Sequence, residues 1–135
     1  DAANSLVSAG YPSITGAASS EATIQVARNV LVDSGVVGCS PASTSPTITN
    51  LEDDDYVFRT PPSDALQGQV LAQVATEELD ASTASTLYLN NSYGQALQEA
   101  FVSAFQDRDG SVLQQVGFES QQNSYTSQLN SALNQ

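Results

Sequence analysis

Short apolar runs alternate with helix-periodic stretches along this chain, and that alternation limits the fold more than any other feature. The runs lie at 12–15, 36–40, 56–60, 85–90 and 112–118. Helical patterns fill 1–9, 21–33, 64–79, 93–107 and 125–133. Strands that alternate with helices can pair in parallel, because each crossover needs a long connection. The pattern predicts an α/β fold with a mostly parallel sheet.

Local signals place the helices. The stretch 21–33 carries Ile24, Ala27, Val30 and Leu31 at spacings of three and four, an apolar stripe. Ser20 is expected to cap it, Glu21 favours its dipole, and Gly35 stops it. In 64–79 the expected buried face is Leu66, Val70, Leu71, Val74 and Ala75. In 93–107 it is Leu97, Ala100, Phe101, Ala104 and Phe105, after a cap at Asn91-Ser92. Pro61 and Pro62 interrupt ladder pairing after 56–60, and the strand–helix rhythm restarts beyond them. The natural boundary is therefore at 60–64, dividing the chain into 1–62 and 63–135.

Composition excludes several functions. Fifteen acidic residues stand against three basic ones, all arginine, for a net charge of −12. Phosphate backbones and anionic membranes recruit clustered Lys and Arg, so neither is an expected partner. The acid excess fits a halophilic or marine source and an acidic exported protein equally. Histidine is absent and Cys39 is the only cysteine, which excludes a Cys/His metal site, a histidine-activated nucleophile and an internal disulfide. Lysine is absent and no Gly-x-Ser-x-Gly elbow occurs, which weighs against a doubly wound hydrolase. Cys39, after Val36, Val37 and Gly38, reads as a small core residue. Asp53-Asp54-Asp55 reads as a solvated acidic turn rather than a cation site. No apolar run nears the ~18 residues of a membrane span. No signal peptide is visible, and Asp1-Ala2-Ala3 reads as the middle of a helix, so a piece of a longer chain is expected.

What remains is chemistry suited to holding a small anion. Ser43, Thr44 and Ser45 follow the apolar run 36–40, and Ser20 follows the run 12–15. Hydroxyls and free N–H groups after buried strands can take a carboxylate without breaking any bond. On spacing alone, Ser20 is a plain helix cap and 41–45 a turn that satisfies its own backbone. Arg59 and Asp64 flank the prolines and are expected to form an ion pair or a cap at the crossover.

Four segments carry a resemblance. ITGAASSEAT (14–23), SPASTSP (40–46), YVFRTPPSDALQG (56–68) and NNSYGQALQEAF (90–101) resemble, in order and spacing, the type I periplasmic binding proteins. Within these they are similar to the branched-chain amino-acid receptors of ABC importers. The resemblance implies a three-layer αβα fold with a doubly wound sheet, present as partial lobes. Residues 1–62 would be the later part of the first ligand-binding lobe, and 63–135 the start of the second. It implies an extracytoplasmic receptor, periplasmic or lipid-anchored, whose signal sequence lies outside this chain. The implied ligand is an amino acid or a related small amide, and the implied partner is an ABC permease. No cofactor, metal or catalysis is expected. A ligand-sensing receptor or regulator of the same fold is the alternative.

Residue by residue, the resemblance gives Ser20 the ligand's carboxylate. Ala42 would offer a backbone carbonyl to the ammonium, and Thr44 a hydroxyl and N–H to the carboxylate. Tyr93 would close over the ligand from the second lobe. Thr23 and Ser43 are weaker candidates. Arg59, Pro61, Pro62 and Asp64 would form the crossover or hinge. The family's opening strands are missing, which would expose a sheet edge beside 12–15, so the stretch is expected to be a homo-oligomer.

Overall fold

A computed structural model describes residues 2–134, which form two compact units, one through Ser63 and one from Asp64. The first contains α1 (Ala2–Ser8), β1 (Ser13–Thr15), α2 (Ser20–Val26), a π-helical stretch (Ala27–Leu31), α3 (Val32–Ser34), β2 (Val37–Ser40), a 3-10 helix (Pro46–Asn50) and β3 (Val57–Arg59). The second contains α4 (Asp64–Gln73), a π-helical stretch (Val74–Glu78), β4 (Thr83–Leu89), α5 (Ser92–Gln106), β5 (Ser111–Phe118) and α6 (Thr126–Leu133). The helical pattern at 1–9 is α1, with Asp1 outside the described residues.

Every strand pair among the described residues is parallel, as the alternation predicts. The first unit has the order β1-β2-β3, with Thr15 opposite Cys39 and Ser40 opposite Arg59. The second pairs β4 with β5, from Thr83 opposite Ser111 to Leu89 opposite Phe118. Parallel pairing puts the C-terminal ends of β1, β2 and β3 on one edge of their sheet. The loops leaving β1 and β2 and the side chain of Arg59 therefore share that edge, where ligands bind open α/β sheets.

The helix after β1 starts at Ser20, one residue before the predicted 21–33. Its cap is Ser19, not Ser20: the Ser19 hydroxyl accepts from the Ala22 N–H at 3.2 Å. Ser20 is already helical, and its hydroxyl accepts from a different loop. The predicted stripe is buried throughout at Ile24, Ala27, Val30 and Leu31. Gly35 ends the helix in the left-handed region (φ 61), where its missing Cβ removes the steric penalty.

In α4 the expected buried face is wrong. Leu66, Val70, Leu71 and Val74 are exposed, Ala75 is half-buried, and Asp64, Gly68 and Ala72 are buried instead. The expectation weighted side-chain size, whereas α4 packs along α5 through its smallest residues. A Cβ on Gly68 would lie 2.6 Å from the Ala100 Cβ and 2.7 Å from the α5 backbone. The two helices approach too closely for a large residue between them. Gly68→Ala should therefore destabilise the protein by about 1–3 kcal/mol in denaturant unfolding, as overpacking does. Alanine's better helix propensity alone would stabilise it, and that result would contradict the close packing.

The predicted face of α5 supplies the core of the second unit. Phe105 is fully buried with Ala72 and Ala104, and Phe101, Ala75, Ala81, Ala84 and Val112 pack around them. The Phe101 and Phe105 rings stack with centroids 5.4 Å apart. Asn91 caps α5 by accepting from the N–H groups of Tyr93 (3.1 Å) and Gly94 (2.9 Å).

Candidate functional site

Two loops meet at the sheet edge of the first unit: residues 16–19 after β1 and 41–45 after β2. What joins them is a buried hydroxyl network. Ser40, the last residue of β2, donates to the Ala17 carbonyl (2.5 Å) or to the Ser43 hydroxyl (2.7 Å). Its oxygen also accepts the Ser43 N–H at 3.0 Å, which folds the chain back at the strand end. Thr23, inside α2, places its hydroxyl 2.8 Å from Ser43 and 3.1 Å from the Ala17 carbonyl. Ser43 in turn reaches the Ala17 and Ala18 carbonyls at 3.4 Å. Ser40 and Ser43 are fully buried and Thr23 nearly so, so these groups need one another in place of water.

Ser20 forms a second tie. It is 2 % exposed, and its hydroxyl oxygen accepts the Ser45 N–H at 3.2 Å. An oxygen that accepts keeps its own proton for donation. Ser45 is buried as well, and its hydroxyl accepts the Thr47 N–H at 3.3 Å, opening the 3-10 helix before Pro46. Between Ser43 and Ser45, both held, lies half-buried Thr44. Ala42 is exposed at the loop's outer turn.

Of the predicted ligand residues, the fold brings Ser20, Ala42 and Thr44 to this edge. It brings Thr23 and Ser43 there too, but their hydroxyls are engaged in joining the loops. Ser40 was missed, although a polar residue closing an apolar strand is itself a sign that partners wait at the strand end. Arg59 donates to the Ser45 carbonyl at 2.7 Å and to the Thr49 hydroxyl. Pro61 and Pro62 stand between β3 and α4, and Asp64 is the buried first residue of α4. Asp53, Asp54 and Asp55 form a turn in which the Asp53 carboxylate accepts the Asp55 N–H. Cys39 is half-buried beside Thr15 in the sheet.

In the second unit, Tyr93 opens α5 and is 39 % exposed. It lines a cavity of about 380 Å³ with Leu97, Gln98, Phe101 and Phe118. That cavity is mainly apolar. The side-chain amide of Gln98, its buried polar group, already donates to Gln115 at 2.7 Å. It offers a carboxylate little, whereas the hydroxyl loops of the first unit offer donors.

Several solved structures share this fold. A leucine-binding protein from Thermotoga maritima superposes with a TM-score of 0.87 at 25% identity, over 96% of this chain and 36% of that one. An ABC transporter substrate-binding protein from Desulfitobacterium hafniense, in complex with Leu, gives 0.71 at 26% identity, over 93% of this chain and 36% of that one. A periplasmic binding protein from Burkholderia mallei shares the fold at 18% identity, with a TM-score of 0.80 over 97% of this chain and 36% of that one. The chain thus spans about a third of the length of these solved relatives. No curated protein matches it. The family model described as "Periplasmic binding protein" matches residues 1–135, and the chain belongs to that family of binding proteins.

Proposed function

We propose that this chain is part of an extracytoplasmic solute-binding receptor for amino acids or related small amides that delivers its ligand to an ABC importer. One observation carries the reading within the family: the Ser45 N–H bond to Ser20 ties the loop that bears Ala42 and Thr44 to the start of α2, where Ser20 sits. Ser20 and Thr44 donate to the ligand's carboxylate, and the Ala42 carbonyl accepts from its ammonium. The leucine-binding relatives support an aliphatic amino acid as the first ligand to try.

Residues 1–62 act as the later part of one ligand-binding lobe and 63–135 as the start of the next. Arg59, Pro61, Pro62 and Asp64 mark the passage between them. Recognition requires no bond to be made or broken, so the chain has no catalytic role. The stretch taken alone self-associates through β1, the edge strand of its sheet.

Calorimetric titration of the complete gene product with a panel of amino acids and their amides tests the proposal. Saturable binding of at least one of them is expected. No binding across the panel would remove the reading.

A further inference from the structure

We infer that Arg59 is a positioning residue that fixes the ligand loop after β2. This rests on the proposed role of Ser20 and Thr44. The loop is short, residues 41–45, and is anchored at both ends by one strand pair. At its start, Ser40 lies opposite Arg59 in the sheet, and the Thr60 N–H donates to the Ser40 carbonyl at 3.1 Å. At its end, the Arg59 guanidinium donates to the Ser45 carbonyl at 2.7 Å and to the Thr49 hydroxyl. Ser45 is therefore gripped on two sides, with its carbonyl on Arg59 and its N–H on Ser20.

The residue before it is Thr44, so the guanidinium acts one peptide away from the proposed carboxylate donor. A guanidinium suits this task because its planar fork serves two acceptors from one rigid group. Lysine's single ammonium holds a point, not a plane. In a chain with only three basic residues, this one is directed at neutral loop oxygens. The bonds therefore order the loop, and ordering a binding loop in advance lowers the entropy lost when ligand arrives.

The test uses the complete gene product and the amino acid that it binds best. Arg59→Ala should weaken binding roughly tenfold, the loss of one charge-assisted hydrogen bond at the loop. Arg59→Lys should recover part of that loss. Thr49→Val, which alters only an exposed acceptor, should weaken binding by about two- to threefold and keeps the test open if Arg59→Ala does not fold.

A double-mutant cycle separates positioning from general stability. If Arg59 acts by holding Thr44 in place through Ser45, the double variant with Thr44→Ala should bind little worse than Thr44→Ala alone. Additive losses would overturn the inference, as would Arg59 and Thr49 variants with full affinity while Thr44→Ala is impaired. If Thr44→Ala itself keeps full affinity, the ligand assignment falls and this inference falls with it.

Discussion

Ser20→Ala in the complete gene product should lower amino-acid affinity roughly ten- to hundredfold, and Thr44→Ala should do the same. A hydrogen bond to a charged carboxylate contributes about 1.5–3 kcal/mol, and each 1.4 kcal/mol is about a factor of ten. The Ser20 hydroxyl is also the acceptor for the buried Ser45 N–H, so its removal breaks a buried hydrogen bond. That should cost about 0.5–1.5 kcal/mol of stability in addition to the affinity loss. Titration calorimetry reads the affinities, and denaturant unfolding reads the stabilities. Full affinity in both variants would show that the carboxylate is held elsewhere.

The largest stability effect is expected at Phe105. Its ring is fully buried, stacks on Phe101, and closes over Gly110, where a Cβ would lie 2.5 Å from the ring. Phe105→Ala removes an aromatic group from a core whose other fully buried member is an alanine, Ala72. Small neighbours cannot expand to fill the space, so the cavity persists. The expected cost is about 3–5 kcal/mol, measured by denaturant unfolding. A cost under about 1 kcal/mol, no more than an ordinary point substitution, would contradict this view of the core.

Phe105 also shows what the sequence makes legible. Its place in a stripe with Leu97, Phe101 and Ala104 marks a buried helix face without any structure. The same holds for Ile24, Ala27, Val30 and Leu31 in the first unit, and for the strands, each placed to within two residues. The stripe rule fails in α4 because it weights the large side chains. There the helix axes are close enough that Gly68 and Ala72 form the contact, and Leu66, Val70, Leu71 and Val74 lie outside it.

The candidate site divides in a similar way. Hydroxyl-rich loops after two strands were readable, and the family segments pointed to Ser20, Ala42 and Thr44 within them. The division of labour among the hydroxyls was not readable. Whether a serine caps a helix, joins two loops or faces solvent depends on contacts between residues more than twenty positions apart. Ser19 is the cap, with an extended backbone and a hydroxyl that accepts from Ala22, while Ser20 inside the helix accepts from the distant Ser45 N–H. Strand pairing also puts the Arg59 guanidinium over the loop at 45–49, a contact that the spacing of these residues along the chain does not reveal.

The most direct measurement is a pair of titrations on the complete gene product. The first uses the amino acid that binds best, and the second uses its carboxamide, which keeps the ammonium and side chain but loses the negative charge. If the loops bearing Ser20 and Thr44 hold a carboxylate, the carboxamide should bind at least about tenfold more weakly. Equal affinity for the acid and the carboxamide would contradict the account.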